Sequence, residues 1–96
     1  MLSHEKLDVY RRSIEFLACA LKTAEKLPRG EAPLADQLRR AAMSIPLNIA
    51  EGSGRTPASA DAILDRARLL AAISEAEWDQ AKALLVRVVE MLSKMS

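Results

Sequence analysis

The stretch from Gln37 to Arg55, QLRRAAMSIPLNIAEGSGR, constrains this chain more than any other. Leu38, Ala41, Ile45 and Asn48 step by three and four, with Leu34 before them and Ala42 and Ile49 beside them. That spacing is one face of an amphipathic helix, which must bury its stripe against other elements. Pro46 falls inside the stripe. It has no N–H for the Ala42 carbonyl, so a kink is expected there. Gly52 follows as a stop signal, since glycine takes the left-handed conformation that ends helices.

The remaining chain also reads as helix. A first helix is expected over about 5–27, with Leu7, Tyr10, Ile14, Leu17, Leu21 and Ala24 as its stripe and Pro28 and Gly30 ending it. The second runs over about 33–51, with Pro33 in its first turn. Ser53, Gly54 and Arg55 form a connection, and Thr56 caps a third helix whose first residue is Pro57. Ile63, Ala67 and Leu70 are the stripe of this third helix, roughly fifteen residues long against the ~30–35 Å of the first and last helices. Ser74 and Glu77 have the spacing of a capping box. They open a fourth helix over about 75–94 with Trp78, Ala81, Leu85, Val88, Leu92 and Met95 on one face. Short connections make successive helices run in opposite directions. The fold class is therefore all-α: an antiparallel up-down-up-down four-helix bundle with a shortened third helix. Its expected core is Leu7, Tyr10, Ile14, Leu17, Leu21, Leu38, Ile45, Ile49, Leu70, Leu85, Val88 and Leu92.

The 96 residues suit a single domain, 1–96. Half are hydrophobic, which is ample for a core. The formal net charge of +1 is no polyelectrolyte footprint, so any nucleic-acid surface has to come from local clustering. One cysteine, Cys19, leaves no intrachain disulfide and suits a reducing compartment. The charged start MLSHEKLDVYRR lacks the apolar core of a signal peptide, and no apolar run approaches the ~20 residues of a membrane span. A soluble cytoplasmic protein with no membrane partner is the expectation.

The segment QLRRAAMSIPLNIAEGSGR resembles the signature of small four-helix-bundle proteins encoded by intervening sequences of bacterial 23S ribosomal RNA genes. The accessory proteins of diversity-generating retroelements are similar to them. EKLDVYRRSIEF and KALLVRVVEMLSKM look like the same family, and AILDRARLL looks like the final part of its third helix. The resemblance covers nearly the whole chain, minus an apparent internal deletion of about four or five turns. It implies a bundle fold, a pentameric ring, and contact with structured RNA or retroelement ribonucleoproteins through basic surfaces.

Catalytic groups are scarce. His4 is the one histidine, too little for a tetrahedral zinc site with a single cysteine. Cys19 lies mid-helix and reads as a small core residue rather than a nucleophile. Gly52-Ser53-Gly54 is no nucleophile elbow, and no phosphate loop is present. Asp61 with Asp65, and Glu75 with Asp79, read as solvated helix faces. No enzyme, metal, cofactor or small-molecule substrate is expected. Pro46, Asn48 and Gly52 are expected to be structural, with carbonyls freed near the proline as candidate partners of Asn48 and a ligand contact as its alternative role.

Arg39, Arg40, Arg55, Arg66 and Arg68 are the candidate residues for nucleic-acid or partner binding, since the guanidinium fork suits phosphate. The competing reading is salt-linked helix faces, with Arg40 on Asp36 and Arg12 on Asp8. Leu84, Val86, Val89 and Met91 widen the apolar surface of the fourth helix, which suits either a homo-oligomer or a generous core at one end of the bundle. Two functions follow as expectations. One is a non-enzymatic, self-associating adaptor for a protein or ribonucleoprotein partner. The alternative is direct RNA or DNA binding through arginine clusters on an oligomer surface.

Overall fold

The computed structural model describes residues 4–53 and 55–95. It has four helices: α1 (His4–Lys26), α2 (Ala32–Glu51), α3 (Ala58–Leu69) and α4 (Glu75–Met95), with a 3₁₀ turn, Arg29–Glu31, before α2. Gly54, read above as part of a connection, and the side chain of Met95 lie outside the described residues. α1 packs on α2 and α4, and α3 closes the square between α2 and α4. Cross-helix pairs fix the directions. Lys26 at the end of α1 meets Glu77 at the start of α4, Glu31 before α2 meets Arg66 near the end of α3, and Asp61 early in α3 meets Lys82 of α4. Neighbours are thus antiparallel, the four-helix bundle that the sequence predicts.

The helix ends follow their local chemistry. At the start of α4 the Ser74 N–H donates to Glu77 Oε1 (2.9 Å) and the Glu77 N–H donates to Ser74 Oγ (3.1 Å), a reciprocal capping box. Lys26 on the other side of Glu77, together with the Ser74 backbone, holds that carboxyl down to about 2. At the end of α2, Gly52 has φ 88, and the N–H groups of Gly52 and Ser53 close on the carbonyls of Ile49 (3.0 Å) and Asn48 (2.9 Å). α3 starts one residue later than expected: Pro57 is the N-cap position, and Thr56 makes no cap bond. It also ends early. Leu69 is 84% exposed while Ile73 turns into the core, so the chain exchanges one apolar contact for another by leaving the helix. α3 therefore has 12 residues, about 18 Å, beside the 21 residues of α4, about 32 Å.

The core corrects the expected stripe of α1. Leu38, Ile45, Ile49, Leu85 and Val88 are buried, and Tyr10, Leu17 and Leu92 pack partly buried against them. Leu7, Ile14, Leu21 and Leu70, expected inside, are exposed. The inner face of α1 is instead Val9, Ser13, Phe16, Ala20, Thr23 and Ala24. Ser13, Ala20 and Ala24 of α1 and Ala35, Ala41 and Ala42 of α2 are small residues buried in the same core as Phe16 and Leu38. Ser13 and Thr23 can be buried because their hydroxyls donate back to the carbonyls of Tyr10 (2.6 Å) and Cys19 (3.0 Å). Leu70 is displaced from the core because it is already past the end of α3, at its C-cap.

Candidate interaction surfaces

The candidate arginines do not converge. Arg39 donates to Asp36 one turn earlier (3.0 Å), Arg66 reaches Glu31 (3.2 Å), and Arg68 pairs with Glu75 (2.8 Å) while lying 4.2 Å over the Trp78 ring. Arg66 and Arg68 thus tie α3 to its neighbours. Arg40 and Arg55 are exposed and make no ion pair among the described residues. Arg55 follows α2, about 18 Å of helix beyond the Arg39 turn. Its backbone carbonyl accepts from Asn48 Nδ2 (3.2 Å), so Asn48 fastens the α2–α3 connection rather than the carbonyls near Pro46. Pro46 is buried within α2, which continues through it to Glu51. The Arg12 and Arg39 pairs use spacings of three, Arg12 with Glu15 and Arg39 with Asp36, in place of the expected Asp8 and Arg40 partners.

Asp61 and Asp65 are not simply solvated. Both accept from Lys82, and Asp65 also accepts from the indole of Trp78 (3.1 Å). The hydrogen bond from Lys82 holds the Asp65 carboxyl below its ordinary range, with burial opposing and Trp78 helping. Burial alone would lower Lys82, but its bonds to Asp61 and Asp65 outweigh that and raise it. α3 is clipped to α4 by this polar rim. Sequence reasoning missed it because the partners belong to different helices.

Three further features are surfaces. The first is apolar. Leu7, Ile14 and Leu21 recur every seven residues along α1, so they share one side of that helix. At about 100° per residue they lie away from the flank carrying Arg12 and Cys19, which faces α4. The same geometry turns Met43 and Leu47 outward on α2. Lys6 lies beside Gly52, so Ile14 and Met43 sit at similar heights on adjacent helices. The outer side of the α1–α2 hairpin therefore carries five large apolar side chains, with Ile14 41% and Leu47 57% exposed.

The second is a notch of about 380 Å³ lined by Thr56, Pro57, Ala58, Asp61, Leu85, Val86, Val89 and Glu90. It exists because α3 is too short to cover α4 there. Val86 and Val89 are the exposed residues of α4 that the sequence shows as surplus. The third is a groove of about 630 Å³ between α1 and α4, with Arg12, Lys22 and Arg87 on its walls and Cys19 among its lining residues. Burial pushes the Cys19 thiol up, against the pull of Lys22. Among the described residues no three His, Cys, Asp or Glu side chains gather as a metal site, and no helix is long and apolar enough to cross a membrane.

These features define a class: a small antiparallel helical bundle whose distinctive chemistry lies on outward faces rather than in an enclosed centre. Within that class, residues 5–63 match the model of the 23S rRNA-intervening sequence protein family, and the chain belongs to that family. The match spans α1, α2 and the first half of α3. No curated protein and no solved structure matches the chain.

Proposed function

We propose that this protein is a non-enzymatic, self-associating helical adaptor that carries a protein or ribonucleoprotein partner in the cytoplasm. The observation behind this reading is the outer apolar side of the α1–α2 hairpin: Leu7, Ile14 and Leu21 at heptad spacing, beside Met43 and Leu47. A folded monomer gains nothing from keeping large apolar groups in water when its core is already filled by Phe16, Leu38, Ile45 and Leu64. A second copy presenting the same kind of surface supplies the missing cover. The raised Cys19 thiol is in keeping with a role that makes no use of a thiolate nucleophile. The test is the mass in solution of the intact chain and of an Ile14→Lys/Met43→Lys variant. An assembly that falls to monomer in the variant, with helicity kept, supports the reading. A monomeric parent overturns it.

A second reading, direct nucleic-acid binding, rests on Arg40 and Arg55, the two candidate arginines with no acidic partner among the described residues. Assembly would repeat them around a symmetry axis and concentrate charge that one copy lacks. Replacing both by Gln should then weaken RNA binding and flatten its salt dependence. Binding that is unchanged at every salt concentration counts against this reading and leaves the adaptor reading standing.

A further inference from the structure

The groove between α1 and α4 has a make-up that self-association through the α1–α2 face leaves unexplained. Its lining combines apolar and charged residues with one neutral amide, Gln80. Ala18, Cys19, Ala83 and Leu84 are small or apolar, while Arg12, Lys22 and Arg87 are cationic and Glu15 is the one acid. Glu15 is engaged by Arg12 at 3.2 Å. Lys22 and Arg87 form no ion pair among the described residues. Two unneutralised cations thus border an apolar surface in a chain whose formal net charge is only +1. The meeting of Lys26 with Glu77 sets the register of these antiparallel helices, and it places Cys19 at about the height of Leu84. Arg12 and Lys22 are then separated by about 15 Å along α1, with Arg87 reaching in from α4 between their levels.

The groove offers about 630 Å³ and is open to solvent along its outer side, so a small molecule would lie against its floor rather than be enclosed. Free cations beside apolar lining favour a ligand with both an anionic head and an apolar body. A bare phosphate would use only the cations. A neutral apolar molecule would leave Lys22 and Arg87 without counter-charge. We propose that the α1–α4 groove binds a small organic anion, phosphate- or carboxylate-bearing, seated on Ala18, Cys19, Ala83 and Leu84 with Lys22 and Arg87 flanking it on either side along the groove. This site lies on the other flank of α1 from the apolar outer stripe, so it does not depend on self-association.

Cys19 is the only thiol of the chain and lines the groove, which makes it a reporter. The probes are dithiobis(nitrobenzoate), an aromatic dianion, and dithiodipyridine, its neutral counterpart. In each case the Cys19 thiolate attacks one sulfur, a mixed disulfide forms, and the departing thiolate is followed by absorbance. With the intact chain the rate for the dianion should saturate with concentration, and phenyl phosphate should protect Cys19 where equal inorganic phosphate does not. Lys22→Gln/Arg87→Gln removes the pull of Lys22 on the thiol and slows both reagents to that extent, and should slow the subsaturating dianion reaction by roughly a further tenfold at low salt. Lys22→Arg/Arg87→Lys, which keeps both charges, should restore the dianion rate. A dianion rate that stays linear in concentration and unmoved by the Gln pair overturns the proposal. So does equal slowing of both reagents, which would mean that only the thiol itself, its access or its ionisation, had changed. Equal protection by inorganic phosphate would reduce the groove to a bare phosphate patch and overturn the assigned ligand chemistry.

Discussion

The two hairpins of this bundle are held together by different physics. The α1–α2 hairpin joins helices of 23 and 20 residues through a dry seam, with Phe16, Leu38 and Ile45 filling space between alanines. The α3–α4 hairpin joins helices of 12 and 21 residues, buries Ile63, Leu64, Leu85 and Val88 in the same core, and adds a polar rim of Asp61, Asp65, Arg68, Trp78 and Lys82. Apolar burial is worth about 25 cal/mol per Å², whereas an exposed ion pair contributes about 0–1 kcal/mol and weakens with salt. The long hairpin is thus the stable frame, and the short one is attached to it. The frame also has apolar residues to spare, and it turns them outward.

The largest effect should separate the two faces of α1. Phe16→Ala removes a fully buried ring and should cost about 3–5 kcal/mol in chemical denaturation. Ile14→Ala, on the outer stripe, should cost less than about 1 kcal/mol when measured on monomer in dilute solution. The reverse order would move the core of α1 to the stripe of Leu7, Ile14 and Leu21.

A smaller effect should come from the polar rim. Lys82→Met keeps the length of the side chain but releases Asp61 and Asp65, and should cost about 1 kcal/mol at low salt and little at high salt. The pH dependence has a definite sign. The folded-state Asp65 carboxyl is depressed by its bond to Lys82, so its contribution is present above the ordinary carboxylate range and is lost as pH falls through the depressed value. Denaturation curves of the parent and the Lys82→Met variant should therefore converge in acid. A difference that persists undiminished at low pH and high salt would mean that α3 is held by packing instead.

The smallest effects should appear where the second helix of the frame and the short α3 end. α2 ends on Gly52 at φ 88, a conformation that glycine adopts without strain. α3 ends with Ala71 at φ 57, where its Cβ is strained. Gly52→Ala should destabilise by about 1 kcal/mol, and Ala71→Gly should stabilise by up to about 1 kcal/mol. Thermal melts of both variants read the two signs directly. A destabilising Ala71→Gly would show that the turn is not limited by backbone strain.

Local signals in the sequence carried the architecture well. The capping box of Ser74 and Glu77 and the stop at Gly52 depend on neighbours only a few residues away, and the buried stripe of α2 keeps one unbroken helical spacing, so each is legible. α1 was ambiguous because it holds two periodic series. Leu7, Ile14 and Leu21 are the bulkier set, but Val9, Ser13, Phe16 and Ala20 allow closer approach to the alanines of α2. Hydrophobicity favours the first set and packing favours the second. The hydroxyls of Ser13 and Thr23 mislead further, since their bonds to the preceding turn permit burial that the residue type alone does not suggest. The end of α3 carries no glycine to announce it. The arginine pairs with Glu31 and Glu75, and the clip from Lys82, depend on residues brought together only by folding.

On the proposed reading, the outward apolar stripe of the frame is an interface between copies of this chain. Light scattering on the intact protein at tens of micromolar tests it most directly, with Ile14→Lys/Met43→Lys beside it. The parent should scatter at a multiple of the monomer mass and the variant at the monomer mass, both fully helical. A parent that scatters as a monomer, or a variant that keeps the parent's assembly, would contradict it.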